Sequence, residues 1–134
     1  MDKLFLSKIN PRELPSLSLA FIGDSVYELL VREYLLSTGK RQVGELNKDK
    51  VSMVCCSAQT KALDKIKPLL TEEEEGVFRR GRNVQVHSVP RNSSLKDYHA
   101  ATGLEALFGY LYLQGKTDRI KELFSVIVET NECE

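Results

Sequence analysis

Residues 17–36, LSLAFIGDSVYELLVREYLL, decide how this chain folds. The stretch reads as one long helix that is apolar on nearly every face. Leu17, Leu19, Ala20, Phe21, Ile22, Val26, Tyr27, Leu29, Leu30, Val31, Tyr34, Leu35 and Leu36 leave no clear polar side. Such a helix is expected to be buried all round or to lie in the middle of an assembly. Asp24 stands near its centre, directly after Gly23. An aspartate in those surroundings is costly unless a partner or a metal compensates it.

Residues 98–113, YHAATGLEALFGYLYL, repeat the pattern. They too are apolar on most faces, and Glu105 is their only acid. Two apolar helices with one carboxylate each suggest that the acids meet. Oxygen ligands of this kind suit a hard cation such as magnesium. Composition leaves a second reading open, in which each acid reaches solvent or an arginine.

The length of 134 residues suits one domain, residues 1–134, with a real core. Nineteen basic and 19 acidic side chains cancel, so bulk charge points to neither nucleic acid nor membrane, and any such signal must be local. Cys55, Cys56 and Cys133 are odd in number and lack zinc-ligand spacing, which argues for a reducing compartment. The N-terminus MDKLFLSKIN has no apolar signal core, and the embedded acids argue against membrane spans. A soluble cytoplasmic protein is the expectation.

Outside the two apolar stretches, punctuation sets the elements. Pro11 and Pro15 mark a lead-in, and Pro15 can start the long helix. Gly39 is its expected cap. A second helix begins near Val43. Val51, Val54, Ala58, Ala62, Leu63, Ile66 and Leu69 keep helical spacing up to a break at Pro68. Thr71 and Glu74 form a capping box that opens a helix running to about Arg82. The acids at 72–75 fit first-turn dipole chemistry better than a metal site. Residues 83–97 are expected to be a long loop. Gly115 closes the 98–113 helix, and residues 116–130 form a last amphipathic helix with Ile120, Leu123, Phe124, Val126 and Ile127 inward. No sustained apolar alternation is present, so the fold class is all-α.

Between Arg79 and Lys96 there is no acid. Arg79, Arg80, Arg82, Asn83, Arg91 and Lys96 stand there with His87 and several neutral donors. Arginine forks suit phosphate oxygens, so this is a candidate phosphate-backbone surface on a neutral protein. The helix dipole accounts for Arg79, Arg80 and Arg82 but not for Arg91 and Lys96.

The segment Phe21-Ile22-Gly23-Asp24-Ser25-Val26 resembles the signature of the ribonuclease III catalytic domain. Glu105-Ala106-Leu107-Phe108-Gly109 resembles that domain's second acidic motif. The phrases LAFIGDSVYELLVREYLL, LTEEEEGVFRRGRN and TGLEALFGYLYL are similar to Mini-ribonuclease III, the short bacterial form without a double-stranded-RNA-binding domain. The resemblance covers residues 17–113. Its order and spacing are specific, although each motif is short. Two of the family's four carboxylate positions are Ala20 and Thr102 here, as in the short subfamily, so Asp24 and Glu105 carry over.

The resemblance implies a helical bundle of the ribonuclease III endonuclease type. It implies a magnesium-dependent endoribonuclease acting on double-stranded RNA, with large-subunit (23S) ribosomal RNA precursors as substrate. Asp24 and Glu105 are then the catalytic and metal-binding residues. Read from its spacing alone, Glu28 lies one turn from Asp24 and could orient a metal-bound water, against the plainer reading of an exposed helix acid. It further implies a homodimer formed through the signature helix, with Phe21 at the interface. The alternatives are a catalytically silent RNA-binding or ribosome-assembly protein of the same fold, and a helical dimerisation module whose acids pair with arginines.

Overall fold

The long apolar stretch forms one uninterrupted helix, α1 (Ser16–Ser37), in the computed structural model, which describes residues 3–5, 8–85 and 94–129. Pro15 caps its start, and Gly39 ends it at φ +99°, in the left-handed region that glycine tolerates. Of the two expectations, burial on all sides does not hold within the protomer. Leu19, Ala20, Gly23, Tyr27, Val31 and Leu35 form one buried stripe. A second stripe at four-residue spacing, Leu17, Phe21, Ser25 and Leu29, faces solvent, with Phe21 82% exposed. Asp24 is exposed as well. The helix is apolar all round because it carries two faces, and only one of them is covered within the protomer.

The next apolar run is broken where its periodicity shows no break. Helices α2 (Val43–Val54) and α3 (Cys56–Ile66) are separated by Cys55 in extended conformation, φ −65° and ψ 159°. The Gln59 amide caps the Val54 carbonyl at 3.0 Å, satisfying a group that continuous helix would have paired. The break rotates the inward face. Val51, expected inward, is exposed, while Gln59, Ala62, Leu63 and Ile66 are buried. A short 3₁₀ turn, Lys67–Leu69, holds Pro68 as expected.

Helix α4 (Glu72–Arg82) opens with both halves of the Thr71–Glu74 capping box, at 3.1 and 2.9 Å. The acid run is structural at three of its positions. Glu74 takes a two-pronged contact from Arg119, at 2.9 and 2.8 Å. Glu73 holds Arg12 and the Tyr110 hydroxyl. Glu75 pairs with Arg79 one turn on.

Helix α5 spans Leu95–Leu113, three residues longer than expected at its start, because the Ser94 side chain caps the Asp97 N–H at 3.0 Å. Its C-terminus closes with paired bonds from Gly115 to Tyr112 and from Lys116 to Leu111, both 2.9 Å, with Gly115 at φ +76°. Helix α6 (Thr117–Glu129) buries Ile120, Leu123, Phe124 and Ile127 as expected; Val128 is buried too, while Val126 is only partly so.

Twelve of the 19 residues of α5 are buried, so this helix is the centre of the bundle. It packs most extensively on α1, then on α4 and α3. Tyr27 joins the layers, edge-on to Phe108 at 5.3 Å and to Phe124 at 5.9 Å. Among the described residues there is no strand, and no helix is long and apolar enough to cross a membrane.

Candidate active site

The two acids are brought together by side chains that are absent. A Cβ placed on Gly23 would lie 1.6 Å from the Glu105 carbonyl oxygen and 2.8 Å from the Gly109 nitrogen. A Cβ on Gly109 would lie 2.0 Å from the Leu19 carbonyl oxygen. Helices α1 and α5 therefore cross backbone to backbone, which only glycine permits. Asp24 follows one glycine, and Glu105 lies one turn before the other, so both acids sit at the crossing. Their side chains lie near enough for the Asp24 charge to act on Glu105.

Their environments differ. Asp24 is exposed, while Glu105 is partly buried. Burial pushes the Glu105 carboxyl up to about 7; an N–H from Gln59 opposes the shift, and the negative charge and hydrogen bond of Asp24 add to it. The sequence embedded both acids alike; in the structure the cost of burial falls on Glu105. Tyr27 lies beneath, its hydroxyl pushed well up by burial and then by Glu105.

Gln59 is the member that sequence reasoning missed. It is 3% exposed and donates its Nε2 to Glu105 Oε2 at 3.2 Å. A signal was present. Gln59 shares a helical face with Ala62, Leu63 and Ile66, so a polar group was due on the inward side of α3.

Glu28 is bound elsewhere. Arg32 contacts one of its oxygens at 3.0 and 2.9 Å, and Lys50 approaches the other at 3.8 Å. Ala20 is buried, and the Thr102 hydroxyl is donated to the Tyr98 carbonyl at 2.9 Å, so neither supplies a carboxylate.

The donor set fits a divalent cation. Two carboxylates lie near each other, and Glu105 is raised by burial and further by the Asp24 charge, a state that an added positive charge relieves. Among the described residues no lysine or arginine pairs with either acid. The oxygen-only set suits a hard ion. Among the described residues no three acidic, histidine or cysteine side chains form a metal-binding group, so Asp24 and Glu105 would be the only ligands of this kind there.

The basic residues divide. Arg82, Asn83 and Lys96 line one cleft of about 390 Å3 with Val84, Gln85 and His99. Arg82 also lies over the Phe78 ring, 5.6 Å from its centroid. Arg80 lines a different cleft, with Arg12, Glu73 and Tyr110. Arg79 is paired with Glu75. Arg91 and His87 lie outside the described residues.

The Ribonuclease III domain model matches residues 17–116. A Mini-ribonuclease 3 of Symbiobacterium thermophilum is 42% identical over 120 residues, which cover 90% of this chain and 92% of that one. A Mini-ribonuclease 3 of Clostridium tetani is 37% identical over 98% of this chain and 91% of its own length. An X-ray crystal structure of a protein from Fusobacterium nucleatum superposes with a TM-score of 0.80 at 32% identity, covering 90% of this chain and 96% of that one. With the motifs, the helical bundle and these relatives agreeing along most of its length, the chain belongs to the ribonuclease III domain family, among the Mini-ribonuclease 3 proteins, and is an endoribonuclease that hydrolyses phosphodiester bonds.

Proposed function

We propose that this endoribonuclease cuts double-stranded RNA with magnesium held by Asp24 and Glu105, and that its substrate is the precursor of large-subunit (23S) ribosomal RNA. Residues 1–134 act as one catalytic domain in the cytoplasm, paired as a homodimer. The observation that carries the reading is the glycine crossing that brings an exposed and a partly buried carboxylate near each other. The ribosomal substrate rests on the resemblance to Mini-ribonuclease III.

Bound there, the ion supplies Lewis acidity and positive charge beside the scissile phosphate. The chain's own residues do the rest. Asp24, on the surface, is the acid that a duplex meets first. Glu105 is held from behind by Gln59 and kept from bulk water. Arg82, Asn83 and Lys96 grip phosphate and sugar oxygens from their shared cleft, and Arg79, Arg80 and Arg91 belong to the same proposed RNA-binding set. A-form RNA is recognised mainly by shape, so sequence preference is weak.

The uncovered face of α1 supports pairing. Phe21 is 82% exposed, and an apolar cleft of about 370 Å3 lies beside it, lined by Ile22, Ser25, Val26, Leu29, Leu30 and Tyr112 among others. A two-fold axis through this face would cover both stripes and put two acid pairs on one surface, one for each strand.

Asp24→Asn and Glu105→Gln should each slow cleavage of a duplex in magnesium by about a hundredfold to ten-thousandfold, as loss of a metal ligand does, with fold and duplex binding retained. Wild-type rates in either variant would overturn the assignment. Duplex binding without any metal-dependent cleavage by the wild type would favour a silent RNA-binding protein. Mapping precursor ends in a strain lacking the protein tests the substrate.

A further inference from the structure

We propose that Gln59 is the positioning residue of the acid pair: its side-chain amide fixes Glu105 in the orientation in which Asp24 and Glu105 take a divalent cation. This rests on the cation-site reading of those two acids.

Gln59 Nε2 lies 3.0 Å from the Val54 carbonyl and 3.2 Å from Glu105 Oε2. A carbonyl oxygen only accepts, so the group facing Val54 must be the NH2, whichever way the amide is first drawn. The same NH2 faces Glu105. Its two hydrogens are both committed, one to each partner. Gln59 is 3% exposed, and its Oε1 is buried with no partner among the described residues. A buried acceptor left unpaired lowers stability, and a leucine or methionine would serve the core better at this position of α3. The residue is therefore oriented for donation to Glu105 at the expense of its own second group.

The anchor at the other end is equally specific. Val54 ends α2 at the extended break through Cys55. By holding that carbonyl and Glu105 together, Gln59 couples the α2–α3 break to the acid on α5. With one oxygen held by Gln59, turning of the Glu105 carboxylate about its terminal bond is restrained. Partners of this kind, one layer behind the ligands, set ligand orientation in metal sites.

Gln59→Met keeps the side-chain volume and removes both N–H groups. Manganese binding to RNA-free protein, read by electron paramagnetic resonance, reports the ion site without catalysis. Melting in a chelator reports the fold. Cleavage against magnesium concentration reports the working site. The expected result is ion binding weakened by about 10–100-fold in both ion-dependent readouts, with much of the lost rate restored at high magnesium. A lower melting temperature with wild-type manganese binding would show a purely structural role and overturn the proposal. Should Gln59→Met fail to fold, Gln59→Asn decides. Its amide is one methylene too short to span both partners, so wild-type ion binding there also overturns the proposal. Asp24→Asn in the same titration separates the two layers. If it binds manganese like the wild type, the cation-site reading falls and takes this one with it. If it loses binding while Gln59→Met keeps it, only the role of Gln59 falls.

Discussion

Gly23→Ala should destabilise the protein far more than one methyl group ordinarily does. The added Cβ would lie 1.6 Å from the Glu105 carbonyl oxygen, 2.6 Å from its carbon and 2.8 Å from the Gly109 nitrogen. An ordinary carbon–oxygen contact is about 3.3–3.6 Å, so the shortfall is about 2 Å. All three atoms are backbone, fixed by their own helix, and cannot turn aside as a side chain would. The helices must separate, and the interior they share is close-packed. Overpacking a core costs about 1–3 kcal/mol, and a backbone-to-backbone clash belongs at or above that limit, about 3–5 kcal/mol. At roughly 3–5 °C per kcal/mol for a chain of this size, the midpoint should fall by about 10–20 °C. Thermal unfolding followed by circular dichroism measures it. Gly44→Ala is the control, because a Cβ there meets nothing within 4 Å; it should be neutral or gain up to about 1 kcal/mol. A Gly23→Ala protein melting within about 2 °C of the wild type would refute the crossing geometry, given the scaling just used.

Three further outcomes are expected. The Glu105 carboxyl is raised from 4.5 to about 7, so the folded state keeps a proton that the unfolded chain releases. In a chelator, stability should therefore fall as pH rises from 4.5 to 7, by up to roughly 3 kcal/mol. Magnesium should offset the loss at the upper end; melting series with and without the ion test this, and an unchanged slope in Glu105→Gln would refute it. Phe21→Ala should leave protomer unfolding within about 0.5 kcal/mol of wild type, since the ring is exposed there, yet cost roughly 3–5 kcal/mol of association where the ring is buried by a partner. Light scattering over a dilution series reads this, and a wild type that stays monomeric while cutting both strands would end the dimer reading. Replacing Arg82 and Lys96 together with Ala should reduce the slope of log affinity against log salt by about one for each phosphate that is no longer neutralised; an unchanged slope would return both residues to plain solvated surface.

Most elements could be read from local chemistry. The Thr71–Glu74 box, Gly39, Gly115 and Pro68 each ended or began an element where expected, because caps and breakers act on their immediate neighbours. The break at Cys55 could not be read that way. Nothing in the local sequence forbids a helix there, and the Val54 carbonyl just before the extended residue is held by the Gln59 amide from beyond the break. Ser94 reads along the chain as one more neutral donor of the basic stretch, yet it caps α5 and so shortens the loop. The basic residues form one group along the chain. In space Arg82, Asn83 and Lys96 share a cleft, and Arg80 does not, because successive positions on α4 point to different sides.

Which of the two acids is buried was also beyond the sequence, since both follow apolar residues at helical spacing. The answer depends on what covers each helix. Helix α5 is enclosed by α1, α3 and α4, so its acid is partly buried. Helix α1 is covered on one side only, so its acid meets solvent. The same asymmetry gives the pair its use. A buried carboxylate alone would simply take up a proton, and an exposed one alone would hold a hard ion weakly. At close range, the exposed acid raises its neighbour's demand for positive charge, and Gln59 keeps that neighbour's oxygen aimed as an acceptor. That approach is possible only because two glycines leave no side chain between the helices. In the proposed site, Gly23 and Gly109 therefore matter as much as Asp24 and Glu105, because they set the distance between the two helices.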